Sequence, residues 1–322
     1  MGPHHPHHWD QGRVSRHAIF RIAIVHHGSA SSPTLAHLRQ AFHRHGLIEG
    51  NNCIVDAVGV EGQWTQLPEL VEQLLHLGPD VLIAVGGVAA LTAQRATSRV
   101  PILHAIVLDP SDIGLVAPNV TGVTTFDPDQ AMRHFRLLRQ LVPDLRKLAC
   151  LTNAQAPKGL DGLNPLESQL RRAATAQGIE LISVAMPVSD TDLREIFRSI
   201  GAAHARALVA LEVPAVLSRL GTISCLAERH RLPMLSPYGW PDPGVVMQGG
   251  SLHDAMEPLA EAVAALRSGV SMANLPLRTV RHHRLVIDKD RARRIGLEIP
   301  ACLLDLASAC LDELPSAMLP VA

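Results

Sequence analysis

Aromatic residues are scarce in this chain of 322: five Phe, three Trp and one Tyr. So few rings leave little for stacking on sugars, bases or quaternary ammonium groups. A site has to be built mainly from backbone dipoles, hydroxyls, amides and charges. Charge of one sign is lacking too: 29 Lys and Arg stand against 30 Asp and Glu. That balance argues against a nucleic-acid partner, whose phosphates require a basic stripe. No stretch reaches the roughly 18 uninterrupted apolar residues of a membrane helix, and the run from Ala18 to Val25 is short and broken by Arg21. Direct membrane insertion is therefore not expected. The cysteines, Cys53, Cys150, Cys225, Cys302 and Cys310, show no CxxC spacing. Neither a zinc site nor a redox dithiol is expected, and free thiols are favoured over disulfides. With no GxGxxG run and no GxxxxGK loop, dinucleotide and P-loop phosphate sites are excluded. No cofactor and no metal is expected.

The amino end, residues 1–17, is polar and carries His4, His5, His7 and His8. It has no apolar segment or small-residue cleavage site of a secretory signal, and reads as a tail. His282 and His283 are adjacent, so on a strand they point to opposite faces and read as a solvated strand edge rather than a metal pair.

What the chain does have is alternation. Ile19 to His26 is a short Ile/Val-rich run, hence a buried strand. Pro33 then opens a helix with Leu35, Leu38 and Phe42 on one face. Ile54–Val60, Val81–Val85 and Pro101–Val107 are further strands, separated by helices over Leu67–Leu75 and Val88–Thr97. The pattern restarts after Val120–Thr125. Helices over Pro128–Leu141, Leu163–Gln177, Asp190–Ile200 and Val216–His230 alternate with strands over Lys147–Asn153, Glu180–Met186, Ala207–Glu212 and Pro233–Ser236. Repeated βα units predict parallel sheets with right-handed crossovers. The fold class is α/β, with two Rossmann-like lobes. The first takes 18–122 plus about 250–280, and the second takes 123–249. Residues 281–322 add a strand and helices of unassigned lobe. Pro, Gly and aromatic residues from Pro237 to Gly250 mark a crossing between lobes rather than a core.

In open parallel sheets, ligands sit beyond the carboxyl ends of the strands. The loops there are His27-Gly28-Ser29, Gly86-Gly87, Val107-Leu108-Asp109, Asn153-Ala154-Gln155, Glu212-Val213 and Tyr238-Gly239. Several lead into helix N-termini, whose free N–H groups suit a carboxylate. The candidate binding residues are therefore His27, Ser29, Gly86, Gly87, Val107, Asp109, Asn153, Glu212 and Tyr238. Ser29 and Gly87 would hold polar groups from the first lobe. Asn153 and Glu212 would contact from the second, with Glu212 suited to an ammonium group, and Tyr238 would pack near the hinge. Each has a structural alternative: Ser29 as a helix cap, Asn153 as a local turn, Asp109 as a turn before Pro110.

Between Arg21 and Leu304 the chain resembles ABC-transporter substrate-binding proteins of the type that includes tryptophan and tyrosine uptake receptors. The resemblance is carried by ordered pieces: Gly46-Leu47-Ile48-Glu49-Gly50-Asn51-Asn52, Leu67-Pro68-Glu69-Leu70, Asp80-Val81-Leu82-Ile83-Ala84, Asp109-Pro110, Leu141-Val142-Pro143, His230-Arg231-Leu232-Pro233 and Gly296-Leu297-Glu298-Ile299-Pro300. It implies a type I periplasmic-binding fold, with a multi-crossing hinge that closes on a small polar ligand such as an amino acid or related carboxylate. It also implies ABC permease and ATPase partners, an extracytoplasmic place and no catalysis. The alternatives are a leaderless cytoplasmic ligand sensor of the same fold and a two-lobed enzyme.

Overall fold

The computed structural model describes residues 19–26, 33–60, 64–152, 158–159, 162–186, 190–238, 243–250, 252–280 and 283–310. The first lobe opens with β1 (Phe20–His26), α1 (Pro33–Arg44), β2 (Cys53–Gly59), α2 (Leu67–His76), β3 (Val81–Val85), α3 (Gly87–Ala96), β4 (Ile102–Val107) and β5 (Val120–Thr124). The chain then crosses to α4 (Gln130–Leu141), β6 (Lys147–Thr152), α5 (Pro165–Ala176), β7 (Glu180–Ala185), α6 (Asp190–Ala202), β8 (Ala207–Ala210), α7 (Pro214–Leu217), α8 (Leu220–Arg229), β9 (Met234–Ser236) and β10 (Val246–Gly250). It returns for α9 (Leu252–Arg267) and β11 (Arg278–Thr279). It crosses a third time for β12 (His283–Ile287), α10 (Lys289–Ile295), α11 (Ala301–Leu306) and β13 (Ala309–Cys310).

Strand pairing assigns every strand to one of two sheets. The first has the order β11-β5-β4-β3-β1-β2, the second β13-β12-β10-β9-β8-β6-β7. All pairs are parallel except β10 with β12, where Gly249 lies opposite Arg284. The run from Val246 to Gly250, expected to be a crossing, is instead a strand inside the second sheet. Its first four residues are buried, and it pairs on both sides, with β9 and β12. The single helix expected over Val216–His230 is broken into α7 and α8.

In the first lobe, side chains alternate between two cores with the two-residue period of a strand. Ile22, Ile24, Ile83 and Leu103 face α1 and α9; Ala23, Val25, Leu82, Ala84 and Ile102 face α2 and α3. Central strands covered on both faces read as continuous apolar runs, which is why β3 is Val-Leu-Ile-Ala-Val and wholly buried. The second lobe has one large core containing Phe135 and Phe197. These two rings and Phe42 are at most 2% exposed, and each contributes roughly 2–3 kcal/mol by burial.

The alternation fails at one place. Ala105 belongs to the α1/α9 core, yet Val107, two residues on, belongs to the opposite one. The β4–β5 register shifts between them, and Ile106 has φ 55°. A β-branched residue in the left-handed region is strained by about 1–3 kcal/mol. This bulge flips the parity of β4 and re-aims its last residues.

Candidate functional site

The carboxyl ends of the two sheets are brought against each other. The loop after β4 reaches the second lobe: Leu108 packs on that lobe's core. A Cβ built on Gly159, in the loop after β6, would lie 2.0 Å from Asp112 Oδ2, so Asp112 occupies the space a side chain at 159 would need. On the hinge side, Arg284 Nη2 donates to Asp254 Oδ1 at 3.2 Å, linking β12 of the second lobe to the first turn of α9 in the first.

Gly86 and Gly87 stand at the end of β3, where α3 begins. Gly86 has φ 94° and ψ 154°, a conformation reserved for glycine, and open space surrounds its missing Cβ. No side chain caps α3, so the N–H groups of its first turn keep the partial positive charge of a helix start. This is an anion-receptive backbone corner at the end of the first sheet.

Val107 contributes backbone only. Its side chain is core, and its carbonyl accepts a hydrogen bond from Thr124 Oγ1 at 2.5 Å, shared with the carbonyl of Leu108 at 2.9 Å. The same hydroxyl accepts from the Phe126 N–H, so one Thr clasps the bulged end of β4 to the first crossing. Asp109 closes its own loop: Oδ1 accepts from Ser111 Oγ at 2.8 Å and from the Asp112 N–H at 3.1 Å. That turn fixes the segment presenting Asp112 to Gly159.

From the second lobe, Glu212 lies half-buried between β8 and α7. Tyr238, two residues past β9, is half-buried. Its hydroxyl accepts from Arg284 Nη1 at 3.1 Å, and the guanidinium carbon lies 5.5 Å from the ring centre. The Tyr238 bond, and then the Asp254 charge, hold Arg284 in its cationic form against partial desolvation. His27, Ser29 and Asn153 lie outside the described residues.

Several groups near these loops escaped the sequence reading. Gln248 in β10 and Thr125 after β5 are each 4% exposed, and Gln248 Oε1 and Thr125 Oγ1 have no hydrogen-bond partner. Buried polar atoms are nearly always satisfied, so two orphans on segments flanking the crossings are candidates for ligand contact. A lone Gln in the run Val245-Val246-Met247-Gln248 was a legible signal. Arg284 had none, because only the antiparallel register of β12 brings it beside Tyr238 and Asp254. Among the described residues, no group of three or more His, Cys, Asp or Glu is arranged to hold a metal, and no helix is long and apolar enough to cross a membrane. A separate cavity of about 220 Å³ lies between β5, α9 and the segment before β11. It lies toward the start of β5, away from the strand ends, and its Arg278 and Glu261 pair with each other at 2.8 Å.

The family model described as ABC transporter substrate binding protein matches residues 19–310. A tyrosine-binding protein of Clostridioides difficile is 20% identical over 264 residues, 79% of this chain and 73% of that protein. Among solved structures, a conserved domain protein from Vibrio cholerae superposes with a TM-score of 0.81 at 21% identity, covering 91% of this chain and all of that one. A Streptococcus pneumoniae ABC domain in complex with L-Trp gives 0.76 at 19% identity, covering 90% and 100%. At these identities the likeness carries the fold: two parallel α/β lobes joined by three crossings, the type I periplasmic-binding architecture.

Proposed function

Because this chain belongs to the ABC transporter substrate-binding protein family, we propose that it is the solute receptor of an ABC import system, closing on an amino acid or related small carboxylate between its lobes. The observation that carries the reading is the pairing of chemistries at the sheet ends. The first lobe offers the uncapped start of α3 behind Gly86, suited to a carboxylate. The second offers Glu212, suited to an ammonium group, and the ring of Tyr238. The tyrosine-binding relative and the L-Trp complex are consistent with this ligand class. Ser29, His27 and Asn153 complete the proposed contact set. The family is one of binding proteins rather than enzymes, and the reading assigns no reaction. A permease and an ATPase are the proposed partners and an extracytoplasmic place the proposed location.

Calorimetric or thermal-shift titration of the folded protein with amino acids and small carboxylates tests the reading. A one-to-one complex with a member of the panel supports it. A folded protein that responds to none of them removes this ligand class.

A further inference from the structure

Arg284 sits where two of the three crossings run. It is the second residue of β12, just past the third crossing, and lies opposite Gly249, one residue before the second. Gly249 keeps that strand bare. A Cβ there would come within 3.7 Å of the Tyr238 backbone nitrogen, so Tyr238 lies close alongside β10. One arm of the Arg284 guanidinium holds the Tyr238 hydroxyl at 3.1 Å and the other holds Asp254 Oδ1 at 3.2 Å. Two directed bonds from one rigid planar group fix the relative position of their acceptors, which a lysine ammonium on a flexible stem does not. The partners belong to different bodies. Tyr238 follows β9 of the second sheet, whereas α9, which carries Asp254, packs on α1, β4 and β5 of the first lobe. Pro258 removes the N–H that would otherwise bond to the Asp254 carbonyl, so the turn carrying Asp254 has one internal tie fewer.

We infer that Arg284 is a positioning residue that couples the placement of Tyr238 to the angle between the lobes. A rotation about the crossings that separates Asp254 from Arg284 either breaks the ion pair or drags the tyrosine with it. The role of Tyr238 at the ligand rests on the receptor reading above; the tie between the lobes does not. The Arg284 side chain is 43% exposed and that of Asp254 18%, so the link is open to screening and weakens with salt.

The test uses the full chain with Asp254→Asn, Arg284→Gln, Arg284→Lys and Tyr238→Phe, and the double variant Asp254→Asn/Arg284→Gln. Small-angle scattering of the unliganded proteins reads lobe separation, calorimetry reads affinity for whichever panel member binds the wild type, and melting reads the fold. Asp254→Asn and Arg284→Gln are each expected to enlarge the radius of gyration and weaken binding about 5- to 10-fold with the melting point kept. The double variant should lose no more than either single one, as for residues acting as one unit, and Arg284→Lys should restore less than half of the affinity. Raising the salt should move the wild type toward Asp254→Asn. Wild-type scattering and affinity in both single variants overturn the inference, as does a loss that follows the melting point alone. If the wild type binds nothing, the receptor reading falls, and the scattering of the unliganded variants still decides the tie.

Discussion

The two lobes bring unlike material to the proposed contact set. The first arrives with backbone: a glycine corner at the start of α3, and a bulged strand end whose carbonyls are clasped by Thr124. Its one charged candidate, Asp109, is occupied in its own turn. The second arrives with side chains: Glu212, Tyr238 and Arg284. Backbone groups held by a sheet cannot adapt, whereas side chains can be exchanged without disturbing the fold. In the proposed receptor the first lobe would therefore hold the group common to a ligand class, and the second would read what distinguishes its members.

The interiors differ as well, and this difference yields the largest expected effect. The first lobe buries His104 in β4 at 1% exposure, with Nδ1 unpartnered. Burial pushes its pKa down to about 4, against about 6.5 in an unfolded chain. The second lobe instead buries Cys150 in β6, and burial pushes its thiol well up, so it stays protonated. The sign for His104 follows from proton uptake. Above pH 6.5 both states are neutral. Between 6.5 and 4 only the unfolded chain takes the proton, so stability falls with acid by up to about 3 kcal/mol and levels off below. Urea unfolding at pH 7.5 and 4.5 should show that drop in the wild type and a much smaller one in His104→Leu.

The next largest effect concerns the side-chain half of the comparison. Glu212→Gln should weaken an ammonium-bearing ligand by about 2 kcal/mol, roughly 30-fold, as for a lost charge-assisted hydrogen bond. Calorimetry checks it, and an unchanged affinity would remove Glu212 from the contact set. On the backbone half, Gly86→Ala meets no neighbour but forces a side chain into a φ of 94°. It should cost about 1–2 kcal/mol of stability and also weaken the ligand's carboxylate, as read by melting and titration together. The smallest effect is expected at the clasp. Thr124→Val keeps the shape and deletes the hydroxyl, and should destabilise by about 1 kcal/mol in denaturant unfolding.

Much of this fold was legible in the sequence because it rests on local periodicity. The all-apolar Val81–Val85 run, Pro33 at the start of α1, and Gly86 between β3 and α3 each announce an element from within a few residues. The turn at Asp109 was legible too, as the structural alternative to its place in the contact set. What escaped depends on long-range pairing. Strand β10 looked like a crossing because its glycines and neighbouring prolines resemble a loop, and only pairing with β9 and β12 makes it a strand. Strands β11 and β13 have two residues each, too few for any period. Arg284 could not be found because its position depends on the antiparallel register of β12. The Ile106 bulge was hidden because a strand pattern does not reveal where its parity flips.

In the proposed receptor one small ligand is held between two lobes that contribute different groups. Calorimetric titration of an amino-acid and small-carboxylate panel against the wild type and Glu212→Gln tests it most directly. One-to-one binding of an amino acid by the wild type is expected, with a roughly 30-fold loss in the variant that is smaller for the matching carboxylate without its amino group. Equal affinities in the two proteins, or no binding by a folded wild type, would contradict it.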